Sequence, residues 1–108
     1  MPAHLVFCTC PDPASARRIA DAVVGERLAA CVNLVPGLVS VYRWQGKVEQ
    51  ADETLLLIKT TQDRLPALTT RLTELHPHEL PEVLAVEADA GLPAYLRWVA
   101  EQTTDEEA

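Results

Sequence analysis

Seven consecutive residues, His76-Pro77-His78-Glu79-Leu80-Pro81-Glu82, carry two imidazoles and two carboxylates, and two thiols, Cys8 and Cys10, stand near the start of the chain. Imidazole, thiolate and carboxylate together suit copper or zinc; magnesium and calcium prefer oxygen donors throughout. Pro77 and Pro81 stiffen the connector, and in an extended segment His76 and His78 project to the same side. The same residues also admit a plain structural reading, in which His76 caps a helix, the prolines shape a turn and the carboxylates face water. No dedicated ligand spacing such as a paired Cys-x-x-Cys decides between the two. Two further sets bear on binding. Trp44 and Trp98 are large enough to stack on a ligand, although such rings on a strand and a terminal helix more often pack at a subunit interface. Arg43, Lys47 and Lys59 can line an anion pocket between subunits or simply be solvated. The chain lacks a phosphate-binding glycine loop, a dinucleotide fingerprint, a His-Glu-x-x-His motif and a nucleophile elbow, and it has only 4 glycines. No enzymatic activity and no organic cofactor are expected.

The elements that position these groups are centred on Leu34 to Thr61, which reads as two long strands folded back at Gln45-Gly46. Glycine in the second loop position accepts the positive φ that a two-residue hairpin demands. With Trp44 opposite Lys47, Tyr42 faces Glu49 and Ser40 faces Ala51. Each arm extends for about a dozen residues, or ~40 Å at ~3.3 Å per residue, whereas a domain of this size with a radius of gyration of ~13 Å is ~35 Å across. The hairpin is therefore expected to overhang its own domain and to pair with further copies through Tyr42 and Trp44. Pro36-Gly37 predicts a bulge in the first arm. The polar Glu49 to Glu53 stretch suggests a second irregularity before Leu55 to Ile58 enters the sheet centre.

Elsewhere, His4 to Cys10 reads as a buried strand with Val6, Cys8 and Cys10 on one face and Leu5, Phe7 and Thr9 on the other. Asp12-Pro13 opens a helix that buries Ala16, Ile19, Ala20, Val23 and Leu28, and Gly25 weakens it locally. A second helix is predicted from about Asp63 to Leu75, with Leu65, Leu68, Leu72 and Leu75 as its apolar stripe, and Pro77 ends it. Val83 to Ala88 is a last strand, and Pro93 opens a final helix whose N-cap position, Leu92, cannot cap. Thr103 to Ala108 is acidic and expected to fray. This order is the ferredoxin-like βαββαβ plan of an α+β sandwich with an extra C-terminal helix, in one domain spanning residues 1–108. Leu55 to Ile58 is apolar on both faces, so partner subunits are expected to cover the open face of the sheet.

Composition sets the outer limits. The 108 residues are 48% apolar, enough for one real core. With 9 basic against 16 acidic residues the net charge is −7, which disfavours nucleic acid and anionic membranes as partners. The opening Met1-Pro2-Ala3-His4 has no basic region followed by an apolar segment, and no apolar run reaches membrane-spanning length, so a cytoplasmic protein is expected. Three cysteines, Cys8, Cys10 and Cys31, form an odd set that speaks for free thiols.

Six ordered motifs carry a family resemblance: Cys8-Thr9-Cys10-Pro11-Asp12, Ala29-Ala30-Cys31-Val32-Asn33, Tyr42-Arg43-Trp44-Gln45-Gly46-Lys47-Val48-Glu49, Ile58-Lys59-Thr60-Thr61, His76-Pro77 with Pro81-Glu82, and Tyr95-Leu96-x-Trp98. From Val6 to Val99 the chain resembles the CutA divalent-cation tolerance family. The resemblance implies a ferredoxin-like homotrimer similar in architecture to PII signalling proteins, a link to copper and other divalent metals, and no established enzymatic activity. It implies copper ligands at Cys8 and His76, with Glu82 as a third candidate. Leu75 stands where relatives sometimes carry a second histidine, and His78 where the family usually has tyrosine, so His78 is a candidate replacement nitrogen. Cu(II) is the expected ion, with Zn(II) as an alternative. The rival functions are a PII-like sensor of a small anionic metabolite, using Arg43, Lys47 or Lys59, and a trimeric scaffold that recruits another protein.

Overall fold

A computed structural model describes residues 2–104. The elements run β1 (Ala3–Cys10), α1 (Pro13–Gly25), β2 (Cys31–Trp44), β3 (Lys47–Thr61), α2 (Leu65–Leu75), β4 (Leu84–Glu87) and α3 (Pro93–Gln102), with a single 3₁₀ turn over Gln62–Arg64 leading into α2. The four strands form one antiparallel sheet in the order β2-β3-β1-β4. The fold is thus the α+β, ferredoxin-like plan expected, with the extra helix at its end.

Alternation along the strands decides where the core lies. Val6, Cys8 and Cys10 of β1 stand opposite Ile58, Leu56 and Thr54 of β3. All six are buried and share one face of the sheet. There Val6, Cys8, Cys10, Leu56 and Ile58 form a single cluster with Ala16, Ile19 and Val23 from α1 and Leu68 and Leu72 from α2. Leu65 and Leu75 complete the α2 stripe as half-buried residues packed on the cluster. On the second face Phe7, Leu55 and Leu57 are only half-buried. There α3 covers one end: Thr103 meets Thr61 at 3.4 Å between hydroxyls, and Tyr95 lies against Cys31.

The ends of α1 follow local chemistry. Asp12 accepts hydrogen bonds from the Ser15 backbone N–H and hydroxyl, both at 2.7 Å, while Pro13 occupies the first turn, where its missing N–H costs nothing. Leu28 is buried as expected but lies beyond the helix. The helix closes with Leu28 N–H donating to the Val23 carbonyl at 2.9 Å and Arg27 N–H to the Val24 carbonyl at 3.1 Å. Arg27, at φ 61, takes the left-handed position of this closing motif. Gly25 is the last helical residue, not the left-handed one. As expected, α3 has no side-chain cap at Leu92.

The hairpin register is the expected one, with Trp44 opposite Lys47, Tyr42 opposite Glu49 and Ser40 opposite Ala51. Gln45 at φ 50 and Gly46 at φ 82 are both left-handed, the signature of a type I′ turn. The pairing shifts by one residue between Val35 and Leu38, where Gly37 has φ 80, so the Pro36-Gly37 bulge is present. The suspected irregularity at Glu49 to Glu53 is absent from β3, because the extra residue on β2 already absorbs the change of register. The molecule measures 46 × 25 × 22 Å, and the far half of the hairpin gives it its long dimension. The last strand is shorter than expected because Val83 precedes its pairing, which starts at Leu84 opposite Phe7. Thr103, expected in a frayed tail, is buried and donates to the Val99 carbonyl at 2.9 Å. Residues 105–108 of that tail lie outside the described residues.

Candidate metal centre

Cys8 and Cys10 are two residues apart on β1 and therefore face the same side, into the core, where both are fully buried. The end of α2 brings His76 to them from a point 67 residues along the chain from Thr9. His76 is the C-cap of α2, its backbone N–H donating to the Leu72 carbonyl at 3.0 Å. Its buried ring spans the gap between helix and strand, with Nε2 2.7 Å from the Thr9 carbonyl and Nδ1 accepting the His78 backbone N–H at 3.0 Å. The capping and ligand readings of His76 thus describe one position. A ring nitrogen of His76 and the sulfurs of Cys8 and Cys10 all lie within 4.8 Å of one another.

The two thiols act on each other. The neighbouring Cys10 pushes the Cys8 thiol far up, and burial adds to it. The neighbouring Cys8 draws the Cys10 thiol down, against burial. A soft cation placed here meets two sulfurs and, beside them, an imidazole, which is a donor set for copper or zinc.

His78 and Glu82 stand outside this group of three. The His78 ring lies 5.0 Å from that of His76 between centroids, and its side chain is exposed. Glu82 is exposed as well, and its charge is among the smaller influences that keep Cys8 protonated. Both line an open cleft of about 810 Å³ between the connector and the hairpin, together with Tyr42, Arg43, Trp44 and Glu53.

Tyr42 and Trp44 are exposed on the overhanging arm, and Trp98 is exposed on α3 beside Tyr95, with ring centroids 5.6 Å apart. Of the three cations, Arg43 lines the cleft, Lys47 follows the turn, and Lys59 lies near the other end of β3. There Lys59 donates to the Asn33 side-chain oxygen and stands 4.0 Å from the Cys31 sulfur. Within one chain the three do not converge.

Cys10, read beside Cys8 in the sequence, joins it as a full partner although the resemblance implied Cys8 alone, and the alternation of β1 already placed both on one face. One participant was not singled out from sequence. The Thr9 carbonyl, which holds His76, had no sequence signal, because any residue offers a backbone carbonyl.

Residues 4–102 match the family model described as CutA1 divalent ion tolerance protein. The divalent-cation tolerance protein CutA of Thermus thermophilus is 50% identical over 100 residues, covering 93% of this chain and 97% of that protein. Mouse protein CutA is 48% identical over 97 residues, covering 90% of this chain but 55% of that longer protein. A solved structure of the Thermus thermophilus divalent cation tolerance protein superposes with a TM-score of 0.93 at 49% identity, covering 94% of this chain and 99% of the other. On this agreement of sequence and fold, the chain belongs to the CutA1 divalent ion tolerance family.

Proposed function

We propose that this protein binds a divalent transition metal, copper in preference to zinc, at Cys8, Cys10 and His76, and serves in divalent-cation tolerance as a non-enzymatic homotrimer of PII-like architecture. The observation that carries this reading is the convergence of two buried thiols and one imidazole within 4.8 Å. To reach a divalent ion, His76 exchanges one of its two hydrogen bonds for the metal, and the adjacent His78 and Glu82 are the groups positioned to follow it. The trimer is supported by the hairpin, whose exposed Val39, Val41, Tyr42, Trp44 and Val48 lie beyond the domain's own core. Free thiols at all three cysteines suit a reducing compartment, and we place the protein in the cytoplasm. Among the described residues no helix is long and apolar enough to cross a membrane.

Calorimetric titration with Cu(II) tests the centre. Saturable binding should weaken by at least about 10-fold in both Cys8→Ser and His76→Ala, the scale of losses around metal sites. Unchanged affinity in both variants removes the site. A second reading is favoured by the cleft that Arg43 and His78 share: a sensor of a small anionic metabolite. Crystals soaked with nucleotides should show density against Arg43 on that reading, and an empty cleft counts against it.

A further inference from the structure

His76 has no free lone pair in this structure. Its Nδ1 accepts the His78 backbone N–H, which fixes the tautomer with the proton on Nε2, and that proton is donated to the Thr9 carbonyl. The ring is a strut between two backbone segments. The thiols are placed differently: Cys8 and Cys10 are free, fully buried and have their sulfurs within 4.8 Å of one another. Two metal–sulfur bonds of about 2.3 Å span a separation no larger than the 4.8 Å limit found here. Zinc is almost always four-coordinate in closed protein sites and keeps three protein ligands in open ones. Monovalent copper accepts two soft donors, and thiolates select it.

Accepting the metal-centre reading above, we infer that Cys8 and Cys10 form a two-sulfur site for Cu(I), and that His76 is a positioning residue for it. Thr9 lies between the two cysteines, so the imidazole bond to its carbonyl fixes the strand that carries both sulfurs. The centre named for divalent ions then holds monovalent copper more tightly than either Cu(II) or Zn(II), since those ions must first detach His76 from Thr9 or from His78. His76 is committed to the protein in the Cu(I) complex and recruited only by the divalent ions.

X-ray absorption at the copper edge of the wild-type protein, loaded with Cu(I) under anaerobic conditions, reads the ligands without any substitution. Two sulfur neighbours and no nitrogen are expected, and a nitrogen neighbour overturns the inference. In competition with a chromogenic Cu(I) chelator, Cys10→Ser should lose more than about 100-fold in affinity and His76→Gln no more than about 10-fold. His76→Gln keeps a side-chain donor for the Thr9 carbonyl, so it should retain more affinity than His76→Ala. Equal losses in Cys10→Ser and His76→Gln also overturn the inference. Cys10→Ala serves as a second truncation if the serine variant unfolds. Zn(II) or Cu(II) binding that depends on His76, alongside a Cu(I) complex containing nitrogen, removes this inference and leaves the metal centre standing. No binding of any of the three ions removes both.

Discussion

Thr60 illustrates how single polar groups are settled in this fold. It is fully buried, and its hydroxyl donates to the Leu28 carbonyl at 2.7 Å, tying β3 to the segment that leaves α1. Thr60→Val keeps the shape but leaves that carbonyl unpaired, so it should cost about 1–3 kcal/mol in denaturant unfolding. A neutral effect would mean that water reaches the carbonyl. Asp12 gives a pH signature. The Ser15 backbone N–H, and then the Ser15 hydroxyl, hold its carboxyl below the usual carboxylate range. A pKa lowered in the folded state adds stability that is complete above the unfolded value, about pH 4, and is lost as pH falls through the folded value. The difference in melting temperature between wild type and Asp12→Ala should therefore narrow on acidification below about pH 4, and a constant difference would contradict the cap. At this scale Asp12-Pro13 was legible because capping is a local matter. The left-handed residue was not, because nothing in its residue type marks Arg27 for φ 61.

Among the elements, the hairpin was the most legible. Its turn, its register and its bulge each depend on residues adjacent in sequence: Gln45-Gly46 for the turn and Pro36-Gly37 for the bulge. Gly46→Ala places a side chain at φ 82, and should destabilise the protein by about 1–2 kcal/mol. An unchanged unfolding midpoint would show that the turn can change type without loss. The α2 stripe was legible from its spacing, and Leu72, fully buried against the sheet, should lose about 2–5 kcal/mol on truncation to alanine. Meetings between distant elements were less legible. Periodicity shows which face of an element is buried, but not which carbonyl a buried His76 will find 67 residues away. The ferredoxin-like plan brought the connector toward β1, but the Thr9 bond emerges only when α2 is docked.

For the whole molecule, the dimension of 46 Å along the hairpin against 25 and 22 Å across it is the physical argument for association. Overhanging strands that expose Val39, Val41 and Val48 above 55% each would form a dangerous edge in an isolated chain. Sedimentation equilibrium at micromolar concentration should therefore give a trimer, and a folded monomer would sink the argument. Tyr42→Ala combined with Trp44→Ala should weaken the assembly while leaving the far-ultraviolet spectrum unchanged, because neither ring belongs to the buried core. In this account the hairpin builds the assembly, and the chemistry is kept apart from it where β1 meets the end of α2. The most direct test of that chemistry is the metal content of the untagged protein purified from copper-supplemented cells, with and without Cys8. Stoichiometric copper in the wild type and its loss in Cys8→Ser are predicted; equal copper in both, or none in either, would contradict the metal centre.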